Sequence, residues 1–94
     1  MSTEKPQIEK ESEVDVLTEA QREHEIILYN DDVNTFDHVI KTLVAYCDHT
    51  YEQAEQCAYI VHFSGKCVVK TGSYDELEPI CLKLLDANLS AEIH

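Results

Sequence analysis

The sequence predicts an α+β domain of two layers, a three-stranded antiparallel sheet with three helices on one face, in the order β-α-α-β-α-β. Three observations lead there. Three stretches carry apolar residues at helical spacing, each with a single stripe that needs cover. Three short runs beside them are β-prone and bounded by turn residues. Ninety-four residues, 44% of them hydrophobic, suffice for one core but not for several.

Residues 1–23 stand apart from that pattern. They hold seven acids, three bases, Pro6 and only scattered apolar positions, the composition of a flexible acidic N-terminal extension. A transient helix fits Val14 to Gln21 within it. The folded core is expected over 24–94, where periodicity sets in.

Glu25-Ile26-Ile27-Leu28-Tyr29 reads as a strand, ended by a tight turn at Asn30-Asp31-Asp32. Phe36, Val39, Ile40, Leu43, Val44 and Cys47 follow at helical spacing. Asn34 is the expected N-cap of that helix, and Asp37 suits its positive end. Thr50 starts a second helix with Gln53 as its capping-box partner. The stripe of that helix is Ala54, Cys57, Ala58 and Val61, and Gly65 ends it. Lys66 to Lys70 forms the second strand, and Gly72 turns the chain. Ser73 and Glu76 make another capping box ahead of Leu77, Ile80, Cys81, Leu84 and Leu85. Pro79 lies beyond the first turn, so a bend or a later helix start is expected there. Leu89 to Ile93 closes the chain as a last strand.

Charge and composition exclude several classes of function. Nineteen acids against seven bases leave a net charge of −12, which repels nucleic acid backbones and anionic membrane surfaces alike. No run approaches the roughly 18 apolar residues of a membrane span, and the polar start lacks a signal segment. A cytoplasmic protein is the expectation. Cys47, Cys57, Cys67 and Cys81 then stay reduced, as buried and inert thiols. Their nearly even spacing matches no zinc motif, and no cofactor is implied.

Two polar features could carry chemistry. The trio Asn30-Asp31-Asp32 is explained by turn formation alone, yet it hangs between a strand end and an apolar helix. His62 borders the stripe of the second helix, either as a boundary residue or as part of an acceptor-rich site. Catalysis is not indicated. No Ser or Cys sits in a nucleophile elbow, and GxSxG, HExxH and GxxxxGK[ST] are all absent. Two glycines cannot build a phosphate-cradling loop.

The run Ile27-Leu28-Tyr29-Asn30-Asp31-Asp32, with Val39-Ile40 after it, resembles the ClpS family. So does Ala58-Tyr59-Ile60-Val61-His62-Phe63-Ser64-Gly65-Lys66, which matches that family's VHxxGK segment. The resemblance spans about residues 24–93. It implies an adaptor of ClpAP-type AAA+ proteases that recognises destabilising N-terminal residues and delivers their bearers for degradation. It also implies two partners, the N-domain of a ClpA-type unfoldase and N-degron substrate proteins.

Carried over by position, the resemblance assigns Asn30, Asp32 and His62 to the substrate's α-amino group, and Asp31 to the adjoining peptide group. An ammonium has three donors, which suits an amide oxygen, a carboxylate and a neutral imidazole nitrogen. The side-chain pocket falls on Phe36, Val39, Ala58, Val61 and Leu89, with Asn34 near its rim. Two departures bear on selectivity. Asn34-Thr35-Phe36 stands where the family commonly has Thr-Pro-Met, and Ala58 replaces a second pocket Met. A larger Phe facing a smaller Ala alters pocket shape, and with it the ranking among Leu, Phe, Tyr and Trp. The alternative is an acidic protein–protein interaction module resembling the C-terminal domain of the ribosomal stalk protein, with no pocket for an N-terminus.

Overall fold

The computed structural model describes residues 22–94. The expected N-terminal extension up to residue 21, with its transient helix, lies outside the described residues. Within them the order is β1 (His24–Tyr29), α1 (Phe36–Tyr46), α2 (Tyr51–Ser64), β2 (Lys66–Gly72), α3 (Tyr74–Asp86) and β3 (Ser90–Ile93). The expected α+β architecture is the one observed.

Strand alternation explains why β1 takes the centre of the sheet, in the order β2-β1-β3. Ile26 and Leu28 are completely buried on one face, with Ile27 and Tyr29 half-buried on the other. Both neighbours run antiparallel to β1. The buried face of β1 joins Leu43, Ala54, Val61, Leu77 and Leu84 from the three helices in one core. Each fully buried aliphatic side chain contributes roughly 1.5–3 kcal/mol.

The helix ends follow their local chemistry. Both expected capping boxes are present, Thr50 with Gln53 and Ser73 with Glu76. Gly65 caps α2 in the left-handed region at φ 93°, its N–H donating to the Val61 carbonyl at 2.9 Å. The cap of α1 is Thr35 and not Asn34: the Thr35 hydroxyl accepts from the His38 N–H at 3.1 Å. Asn34 is occupied elsewhere, as described below. Pro79 does not delay α3, which runs from Tyr74 with the proline inside it. The two reciprocal bonds of the Ser73 box hold the start, so the helix tolerates one missing donor.

β2 also runs further than expected. Gly72 is its last residue, paired with His24, and does not form the turn itself. A Cβ there would come within 3.0 Å of Glu76 Oε1, so the glycine makes room for the capping carboxylate. Between Ile26 and Ile27 the register slips, leaving Val69 as the extra residue of a β-bulge. His49 Nε2 lies 2.7 Å from the Val69 carbonyl and satisfies it.

All four cysteines are free, but only Cys47 and Cys81 are buried, whereas Cys57 and Cys67 are half-buried. The expectation of four buried thiols therefore needs correction at two positions, where α2 meets an outer strand of the sheet. Burial pushes the Cys47 thiol up to about 11 despite the nearby Lys70 charge. Burial, with Cys67 alongside, pushes Cys57 up to about 12. Such thiols are poor nucleophiles at neutral pH.

The central strand gives a direct test of this packing. Leu28→Ala should lower unfolding stability in urea by about 2–5 kcal/mol, since Leu28 is 1% exposed. Leu82→Ala, at a position 56% exposed on α3, should stay within about 0.5 kcal/mol of the wild type.

Candidate functional site

The chain leaves β1 at Tyr29 and must reach the start of α1 across Asn30 to Thr35. The Asp31 carboxylate organises that crossing. Its Oδ1 accepts from the backbone N–H of Val33 at 2.9 Å and of Asn34 at 2.8 Å. Its Oδ2 accepts from the Asn34 side-chain amide at 2.8 Å. The same amide nitrogen donates to the Asn88 carbonyl at 2.7 Å, tying the turn to the segment between α3 and β3. His38 adds a second tie, its Nε2 donating to the Ala87 carbonyl at 2.7 Å. Asn88 sits in the left-handed region at φ 70°, which asparagine tolerates better than most residues.

At the other side, the Asn30 N–H donates to the Gly65 carbonyl at 2.9 Å. The end of β1 is thereby bonded to the cap of α2, one turn beyond His62. Two of the ties come from α1 and the loop before it, and the third from the residue that follows β1. Beside them lies an open cavity of about 310 Å³.

Asn30, Asp31, Asp32 and His62 line this cavity, and so do Asn34, Phe36, Val39, Ala58, Val61 and Leu89. The structure thus brings every residue singled out in the sequence to one place. It adds two that were not singled out, Leu28 and Tyr29. The sequence places both in the first strand, Tyr29 as its last residue. Only its position just before the turn could have marked it.

The polar residues divide into two groups. Asp31 and Asn34 are bonded within the turn. Asn30, Asp32 and His62 make no side-chain hydrogen bond or ion pair among the described residues. The His62 ring stands edge-on to Phe36 and to Phe63, with centroids 5.2 and 4.9 Å away. Val61, Ala58 and Leu89 form the apolar floor, each no more than 5% exposed, while Phe36 is 41% exposed at the rim. Among the described residues no lysine or arginine lines the cavity. The site presents unused acceptors beside an apolar floor, which suits a small cation carrying an apolar side chain.

Burial alone would raise the pKa of Asp31. Hydrogen bonds from Asn34 and Val33, aided by the charge of His38, outweigh it and hold the carboxyl below its ordinary value. No group of three or more metal-binding side chains is gathered among the described residues. Nor is any helix among them long and apolar enough to cross a membrane.

A family profile described as "ATP-dependent Clp protease adaptor protein ClpS" matches residues 19–92. The chain belongs to the ClpS family. Among ClpS relatives, the "ATP-dependent Clp protease adapter protein ClpS" of Thermosynechococcus vestitus is 34% identical over 68 residues, covering 71% of this chain and 72% of that protein. The "E3 ubiquitin-protein ligase ubr-1" of Caenorhabditis elegans is 40% identical over 68 residues. That match covers 72% of this chain but only 3% of the length of ubr-1. The ClpS fold is shared with Agrobacterium tumefaciens ClpS2, solved bound to L-phenylalaninamide, at a TM-score of 0.75. That likeness covers 79% of this chain and 96% of the other, at 19% identity.

The turn yields its own prediction. Asp31→Ala removes the acceptor of three hydrogen bonds and should destabilise the fold by roughly 1–2 kcal/mol. Because the folded carboxyl has a lowered pKa, its stabilisation is fully present above the ordinary value of 3.8. It is lost as pH falls through the lower, folded value. Urea unfolding of wild type and variant should show a constant difference near neutrality that shrinks in strong acid.

Proposed function

We propose that the protein is an adaptor that binds substrates through a destabilising N-terminal residue of the Leu, Phe, Tyr and Trp class and delivers them to a ClpA-type AAA+ unfoldase. The observation that carries this reading is the convergence of three unbonded acceptors, on Asn30, Asp32 and His62, beside an apolar floor in one cavity. A free α-ammonium supplies three donors, one for each acceptor, provided that His62 offers a neutral nitrogen. The side chain of the same residue enters over Ala58, Val61 and Leu89. Phenylalaninamide, the ligand named for the ClpS2 structure, combines such an amine with such a side chain.

Magnitudes favour joint recognition. Hydrogen bonds to a charged group contribute about 1.5–3 kcal/mol each. Burying a Leu or Phe side chain adds about 1.5–3 kcal/mol. The side chain alone falls well short of the roughly −8 kcal/mol of micromolar binding, and the three bonds of the amine, about 4.5–9 kcal/mol together, reach it only at the top of their range. The volume is suitable as well. A closed apolar cavity of about 150 Å³ accepts benzene, and about 310 Å³ is available here. The reading involves no catalysis, in keeping with a family described as protease adaptors.

Asp31 shapes the loop through three of its four lone-pair sites, which leaves one on Oδ2 for the adjoining peptide group. Phe36 sets the rim, so the order of preference among large N-terminal residues depends on its ring.

Acetylation removes the charge of the amine and two of its donors, leaving acceptors unpaired at about 1–3 kcal/mol each. Fluorescence anisotropy should therefore show an acetylated Leu-starting peptide binding at least tenfold more weakly than the free one. Asp32→Ala should cause a similar loss with little change in Tm. Binding of the free peptide should also fade as pH rises through about 7.7–8.0, where an α-amino group loses its proton. Equal binding of the acetylated and free peptides would overturn the reading.

Residues 1–23 are proposed to act in delivery and not in binding. A 24–94 form should bind Leu-starting peptides normally yet fail to stimulate degradation of a Leu-starting reporter by a ClpA-type protease. The ubr-1 match favours a second reading, a recognition module that works alongside a ubiquitin ligase. Failure of the full chain to stimulate such a protease, with peptide binding intact, would favour that second reading.

A further inference from the structure

A second cavity of about 240 Å³ lies between α1 and α2. Phe36 and Ala58 line both cavities, so the two share a wall. The remaining lining of the second differs in kind. Tyr51 and Tyr59 supply aromatic surface, Asp37 and Glu55 supply two carboxylates, and among the described residues no basic side chain takes part. Glu55 is half-buried and has no hydrogen bond or ion pair among the described residues. Asp37 pairs with Lys41 at 3.4 Å, but both side chains are more than 70% exposed, so that contact competes weakly with a new cation. The rings of Phe36 and Tyr59 lie 5.2 Å apart, tilted at 54°.

A guanidinium answers both features of such a cavity. Its planar fork pairs with a carboxylate, and its face stacks on an aromatic ring. The net charge of −12 draws cations to this surface in any case. The position of the cation along a bound peptide follows from strand geometry. In an extended peptide, residues 1 and 3 point to the same side and lie about 6.7 Å apart, while residue 2 faces away. With the first side chain in the larger cavity, the third is directed at the protein one step beyond.

We propose that the cavity between α1 and α2 is a subsite for an arginine or lysine at the third position of the bound peptide. Phe36 forms the partition between the two subsites. Glu55 is the specificity-determining charge. This rests on the N-terminal reading of the larger cavity.

The test uses the full chain and peptides labelled at their C-terminal end, beginning Phe-Ala-Arg, Phe-Ala-citrulline and Phe-Arg-Ala. Citrulline keeps the shape of arginine without its charge. The Phe-Ala-Arg peptide should bind about three- to tenfold tighter than the citrulline peptide, the range of a partly exposed charge on aromatic surface. Arginine at the second position should gain less than half of that factor. In Glu55→Gln the preference should fall below about twofold, with affinity for the citrulline peptide unchanged. Equal affinity for arginine and citrulline in the wild type overturns the proposal without recourse to any variant. So does an equal gain at the second position, or a preference that survives Glu55→Gln. If none of the three peptides binds the wild type, the N-terminal reading itself falls, and this subsite falls with it.

Discussion

Three hydrogen bonds into the Asp31 carboxylate fix the path of the chain between β1 and α1, and the cavity depends on that path. The same carboxylate holds Asn34 in the pose from which its amide reaches the Asn88 carbonyl. Through Asn88 the turn controls Leu89, which closes the apolar floor. One side chain near the surface thus orders two loops that are distant in sequence. The core beneath, with Ile26 and Leu28 at its centre, supplies most of the stability but does not by itself shape the site.

The division of labour within Asn30-Asp31-Asp32 shows what the sequence could and could not convey. A turn and a binding site were alternative explanations of the trio, and the structure shows the turn, made by one residue of the three. Asp31 makes the turn, whereas the Asn30 and Asp32 side chains accept no hydrogen bond among the described residues. Three adjacent polar residues of similar chemistry carry no mark that separates them, because the separation is made by backbone direction. The same limit explains the cap of α1. Asn34 and Thr35 are both good N-caps, and only the distant carbonyl of Asn88 decides that Asn34 is used elsewhere.

Features set by local patterns were legible. The alternation in β1, the stripes of three helices and two capping boxes all follow from residues within one or two turns of each other. Features set by long-range pairing were not. The bulge at Val69 carries no Gly or Pro to announce it, and its carbonyl is satisfied by His49, far away in sequence. Tyr51, Glu55 and Tyr59 look like the solvent face of a helix when read along the chain. Only the approach of α1 makes them the wall of a second cavity.

The bond from the Asn30 N–H to the Gly65 carbonyl joins the last residue before the turn to the left-handed cap of α2. That cap is stable in this conformation because glycine carries no Cβ penalty there. The amide hydrogen of Asn30 can therefore exchange with solvent only when the strand end and the helix cap part from each other. Its exchange rate measures how often the two halves of the site separate, without any ligand present. A single backbone proton thus serves as an internal gauge of whether the pocket is assembled.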